Sequence, residues 1–482
     1  MLFATPSPSL AQGGDAGEIA SQFQGTPCSS PCTLTPPDMG ASVGPGQVVQ
    51  ILNGSYTVFS RAGSVLDTTT DSGFWQSAGV PTSILSNGLS DPRIIYDPTS
   101  NRWFASEISI GNGHNANQIL VGVSNDANPL DGFKSVTINS PTNYFSDFPT
   151  LGVTPNSVVI GTNDFLDIQG EEAGPGPTNL VSIFSLPKSD LTAATPTTAN
   201  ISSFTGLQPS VQGWSPQTAT NFGASGNAIV LGVVSPPPSS PVTIASSQIT
   251  GGGSAGATLG PVTNSLMNYG GQPQDARQPN PSFVIDAGDN RISSGPFQVG
   301  NNIYFAQSIF QCGFDVIQVG ILDATTGLVT AQDLISLPDE DLLYPSIAAN
   351  ADGQFMVAFN GSGPSTNISA YFDVCNAIGM SISCALPQLS FAGLAGDYSL
   401  PDQPGGPIRW GDYSWVAVDP LDPLDFWTFQ EYPISADEWA TIISEVFVPE
   451  PESLLLMMIS LAGLGVLRRR GRRVDASATR AI

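Results

Sequence analysis

Basic residues are scarce in this chain. Lysine and arginine together number 14 against 40 aspartates and glutamates in 482 residues, and there is one histidine, His114. Before residue 450 the imbalance is steeper, with eight basic residues facing 37 acids. Such a body repels phosphate backbones and argues against nucleic acid as a partner, while cations become natural counter-ions. One histidine leaves a Cys/His zinc site without support and gives a nucleophile triad little to work with. His114 sits in the polar loop GNGHNANQ. Long helical periodicity is also missing: 51 glycines and 41 prolines are scattered through the chain. Cysteines number five. Cys28 with Cys32 and Cys375 with Cys384 are each spaced for a small disulfide loop in an oxidising compartment, which leaves Cys312 over.

Against this background the C-terminal stretch VPEPESLLLMMISLAGLGVLRRRGRR, residues 448–473, stands apart. Leu454 to Leu467 is 14 residues without a charge. As a helix it would rise about 21 Å, short of a hydrocarbon core of about 30 Å. Clustered arginines at its end hold that end on the cytoplasmic side. The segment resembles the PEP-CTERM sorting signal, in which a Pro-Glu-Pro motif precedes an apolar helix and an Arg-rich end. The residues that carry the resemblance are Pro449, Glu450, Pro451, Arg468, Arg469 and Arg470. It implies an exported protein of a Gram-negative bacterium, held in the inner membrane through residues 454–467. Processing by an exosortase and a final place at the cell surface or outside the cell follow from the same resemblance. Residues 474–482 read as a disordered tail. At the other end, Ser9 and Ala11 occupy the −3 and −1 positions of a signal-peptidase site, so residues 1–11 read as the remnant of a signal peptide and 12–35 as an N-terminal extension.

Between these ends one pattern recurs. YPSIAANADGQFMVAFNGS (344–362), FPTLGVTPNSVVIGTNDF (148–165) and DPRIIYDPTSNRWFASEI (91–108) each read as strand, turn, strand. Four further copies place turns near 45, 225, 300 and 420, beside those near 98, 155 and 352. Repeats separated by about 50 to 75 residues, each a hairpin, fit the blades of a propeller. The chain therefore reads as all-β: a β-propeller over residues 36–447, seven-bladed, with a separate C-terminal apolar helix. A pair of β-sandwiches or a β-helix is the alternative, and a β-helix would have much shorter repeats. The Pro-, Gly- and Ser-rich span 235–282 reads largely as a loop insertion. ATIISEVFV (440–448) is expected to close the ring against the N-terminal segment. The segments 36–66, 91–105, 289–308 and 409–420 resemble a group of uncharacterised secreted bacterial β-propeller proteins, which implies fold and export and no particular reaction.

A fold of this kind does not state its chemistry. A glycan-cleaving site needs paired carboxylates about 5 to 10 Å apart, and a sialidase-like site needs clustered arginines. The candidates are Asp147, Asp412 and Glu431, which lie near aromatic residues, with Arg93, Arg291 and Arg409, each beside a repeated hairpin. For Ca²⁺, the one cofactor considered, Asp419, Asp422 and Asp425 of DPLDPLDF offer oxygen ligands in a loop. Most of the seven tryptophans fall inside strand patterns, where burial is expected. The reading is a non-catalytic exported propeller that binds extracellular polysaccharide or a surface protein. The alternative is a secreted glycan-cleaving hydrolase or lyase with carboxylates in the central pocket. A deep axial pocket lined by converging acids and arginines would favour the enzyme, and a plugged axis the binding role.

Overall fold

The computed structural model describes residues 16–28, 35–111, 117–168, 171–172, 178–223, 225–234, 241–400 and 406–450. They form seven sheets of four to six strands, antiparallel except where Thr220–Asn221 runs parallel to Phe297–Val299. The sheets stand as blades around one axis, a seven-bladed β-propeller. Blade 1 spans 39–69, blade 2 spans 89–139, blade 3 spans 144–207 and blade 4 spans 214–266. Blade 5 spans 297–335, blade 6 spans 341–391, and blade 7 spans 415–447.

Each of the seven sequence hairpins joins the innermost strand of a blade to its second strand. Met39–Val43 with Gln47–Leu52 pairs Val43 with Val48, and Asp341–Ala349 with Gln354–Gly363 pairs Ala349 with Phe355. The second turn needs Gly353, whose φ of +83° a side chain would strain. Because the inner strands are equivalent, the seven turns share one face of the disc, called here the turn face. Adjacent blades bury apolar clusters between them, such as Val49, Ile94 and Trp103 between blades 1 and 2, or Met356, Phe372 and Phe426 between blades 6 and 7. This mutual burial is why a single repeat has no stable fold alone.

Two spans depart from the sequence reading. Residues 12–35, expected as an extension, contain the strand Glu18–Pro27, which pairs along Glu438–Phe447 and completes blade 7 from outside. Its side chains alternate between exposed and half-buried, so it carries no apolar run to announce it. The closure by 440–448 occurs as expected. In 235–282, the strands Thr243–Thr250, Thr258–Leu259 and Thr263–Leu266 belong to blade 4. Small polar residues such as Ser246 and Ser247 pack there between blades, which hides the strand from a hydrophobic pattern. Beyond them, residues 267–296 cross the face opposite the turns, where Ile285 bridges both Ala276 and Ile408.

The C-terminal helix over 454–467, Pro451, Arg468 to Arg473, Cys32, His114 and residues 1–11 lie outside the described residues. Among the described residues no helix is long and apolar enough to cross a membrane.

Candidate functional site

The axis has two unlike ends. On the face opposite the turns, the loops that enter the inner strands bring together acids and arginines from across the sequence. Arg291 holds Asp289 through two bonds, Nε to Oδ1 at 2.8 Å and Nη2 to Oδ2 at 2.9 Å. Arg409 donates from Nη2 to Asp412 Oδ1 at 2.9 Å, and its Nε lies 3.8 Å from Asp286. The Asp412 backbone N–H donates to Asp38 Oδ1 at 2.6 Å, and Asp38 also accepts from Asn53 at 2.9 Å. Glu431 accepts from the Gly411 N–H at 3.3 Å, directly behind Asp412. Asp147 belongs to the same group, coupled electrostatically to Asp91, Arg291 and Asp412.

All six residues singled out as catalytic candidates thus gather at one end of the axis. Burial, then repulsion from Asp412 and Asp91, pushes Asp38 well above the usual carboxylate range. Burial and then Asp412 do the same to Glu431. Asp147 is pushed up to about 7, by burial first and Asp91 second. The acids outnumber the guanidiniums here, and burial among like charges favours the neutral form of each.

This charged end has little free space. The pit among Asp289, Arg291, Ser293, Tyr344 and Asp412 has a volume of about 20 Å³, room for a single water. Above it Arg93 closes the axis. The residue is fully buried and donates to two backbone carbonyls, Pro149 at 2.9 Å and Ser293 at 3.2 Å. Phe148, Tyr413 and Trp415 stack around it, with ring centres 4.8, 3.8 and 6.0 Å from the guanidinium carbon. Burial lowers its pKa, and the phenol of Tyr413 and the nearby aspartates oppose that.

On the turn face the axis opens into a cup of about 380 Å³. Its wall is largely apolar and comes from the inner strands and turns of six blades. Val43, Ile95, Phe222, Val299, Ile347 and Trp415 represent blades 1, 2, 4, 5, 6 and 7. Gln298 also lines the cup, and its buried Oε1 accepts no hydrogen bond among the described residues. Sequence reasoning did not single out these positions. Their signal is that each apolar residue lies within a few positions of a hairpin turn, at the end of an innermost strand.

The calcium candidates separate. Asp419 and Asp425 approach Glu445 closely enough to share an ion, whereas Asp422 is exposed and caps its own loop through Leu424 N–H at 3.0 Å. The Arg61 guanidinium enters this acidic group, bonding Asp419 and lying 3.6 Å from Glu445. Asp419 further accepts from Trp427 Nε1 at 2.9 Å. Cys375 and Cys384 are joined in a disulfide across paired strands, so their grouping with Asp373 offers no thiolate to a metal. Cys28 is disulfide-bonded and Cys312 is free and exposed.

Residues 447–473 match the model of the PEP-CTERM protein-sorting motif. The motif implies export sorting and processing by an exosortase. No curated protein matches the chain. Among solved structures, a protein of unknown function from Dyadobacter fermentans aligns with TM-score 0.41 and 9% identity, over 74% of this chain and 94% of that one. An alpha-L-arabinofuranosidase from Fusarium graminearum aligns with TM-score 0.40 and 11% identity, over 90% and 98%. A Trypanosoma rangeli sialidase aligns with TM-score 0.37 and 8% identity, over 84% and 59%. At these scores nothing about binding or catalysis passes from them to this chain.

Proposed function

We propose that this chain is an exported, non-catalytic binding protein. Its sorting segment anchors the precursor in the inner membrane for an exosortase. The propeller then holds extracellular polysaccharide or a surface protein through the axial cup. The observation that carries the reading is that the axis is open where it is apolar and closed where it is charged. Arginines that could grip a substrate carboxylate are already engaged, Arg291 by Asp289 and Arg409 by Asp412. Phe222, Phe297 and Trp415 at the cup offer ring faces and edges against which a sugar ring packs, which favours the polysaccharide. A glycan array on the propeller body tests this. Retention of a polysaccharide without cleavage, abolished by Trp415→Ala but not by Asp147→Asn, is the expected result. Release of shorter glycans would overturn it.

The hydrolase reading keeps one specific support. A carboxyl group at about 7, as at Asp147, suits a general acid at neutral pH. It requires the 267–296 crossing to move aside and widen the pit. Cleavage that disappears in both Asp147→Asn and Asp412→Asn would establish it.

A further inference from the structure

We infer that the uncharged segment that follows the Pro-Glu-Pro motif seats its first leucines, Leu454 to Leu456, in the axial cup of its own propeller until lipid takes them. The inference rests on the position of the cup and of the chain's exit, and holds whatever ligand the mature protein binds.

The last strand of blade 7 ends at the turn face, and the chain then bends toward the axis. Val448 donates its N–H to the Leu424 carbonyl at 2.8 Å and shares a buried cluster with Ala348 and Val416 of the two inner strands. The Pro449 carbonyl accepts from Gln354 Nε2 at 2.6 Å. Gln354 in turn accepts from Asn350, which also donates to the Pro423 carbonyl, both at 3.0 Å. Val416, Asn350 and Pro423 are all wall residues of the cup. The chain therefore leaves the ring on the rim of the apolar cup.

From Pro449 to Leu454 the chain can span about 16 Å at roughly 3.3 Å per residue, enough to pass over the rim. A tether this short keeps the leucines at an effective concentration on the order of millimolar at the cup. The volume of about 380 Å³ lies in the range that holds a compact apolar ligand. It therefore takes a few side chains and leaves the rest of the 14-residue segment to lie across the face. A bilayer accommodates the whole segment, whereas the cup accommodates only its start, so lipid displaces the docked state.

The test uses the full chain with the exposed Cys312 replaced by serine. A cysteine pair is introduced at Val299→Cys in the cup and Leu455→Cys in the segment. A control pairs Leu455→Cys with Leu130→Cys on the exposed edge of blade 2. Under mild oxidation the cup pair is expected to close within one chain on the order of tenfold faster than the control, as a tether of this length allows. Phospholipid vesicles added beforehand should bring it down to the control rate. Ile347→Asp, which places a charge in the cup wall, should do the same without vesicles. Equal rates for the two pairs, a fast reaction that survives Ile347→Asp, or a cross-link that joins two chains would each overturn the inference. None of these readouts depends on glycan binding, so a failure here leaves the proposed function to its own test.

Discussion

The guanidinium carbon of Arg93 sits 3.8 Å from the ring centre of Tyr413, at the crossing point of four blades. Arg93 comes from blade 2, its backbone partners Pro149 and Ser293 from blade 3 and the entry to blade 5, and Tyr413 from the entry to blade 7. Tyr413 answers by donating its hydroxyl to the Pro92 carbonyl at 3.0 Å. One side chain therefore fastens the centre of the ring.

Removing it should be severe. Arg93→Ala is expected to destabilise the body by about 3–5 kcal/mol, since it opens a cavity among the rings and leaves the buried carbonyls of Pro149 and Ser293 without their donor. Arg93→Lys keeps the charge and loses the planar stack, for a smaller loss of about 1–2 kcal/mol. Urea denaturation midpoints check both. An Arg93→Ala variant as stable as the parent would show that the stack is incidental.

Arg61 bears on the calcium question. Its guanidinium already neutralises Asp419 and Glu445, so chelation with EDTA is expected to leave the melting temperature of the parent unchanged. Arg61→Gln exposes three mutually close carboxylates, loses about 1.5–3 kcal/mol of charge-assisted bonding, and should regain stability with millimolar Ca²⁺. Thermal melts with and without Ca²⁺ decide it. Stabilisation of the parent by Ca²⁺ would mean that an ion and Arg61 coexist.

Several buried carboxyls make stability fall with rising pH. Burial, more than any neighbour, pushes Asp315 and Asp373 up to about 8 and Asp147 up to about 7. An unfolded aspartate titrates near 3.9. A raised folded pKa means that the native state holds the proton more tightly. Its stabilisation is complete below about pH 4 and is lost as pH rises through about 8. Asp373 is the cleanest case, because it is 1% exposed and its Oδ1 has no hydrogen-bond partner among the described residues. Asp373→Asn should flatten the profile between pH 5 and 8 and gain roughly 1–3 kcal/mol over the parent at pH 8. Chemical denaturation at a series of pH values measures it, and identical slopes for parent and variant would refute the assignment.

What the sequence determined by itself is local. Turn chemistry such as Ala351-Asp352-Gly353 marks a reversal within a few residues, and seven such marks at blade spacing count the blades. Cys375 and Cys384 lie within a hairpin's reach, and the structure joins them. The sorting motif is equally a matter of adjacent residues, from Pro449 to the arginines. Tertiary structure decided everything that depends on distant segments meeting. The strand Glu18–Pro27 has no apolar run and is defined by its pairing with residues more than 400 positions away. Asp38, Asp91 and Asp412 share a cluster only because ring closure brings the first and last blades side by side. Arg93 and Arg409 look alike as residues near hairpins, yet one is sealed among aromatic rings and the other is partly exposed to solvent. The cup is a property of six strand ends around one axis. A hydrophobic pattern tells that each of those ends is apolar, but only the closed ring decides whether it faces a neighbouring blade or the open mouth.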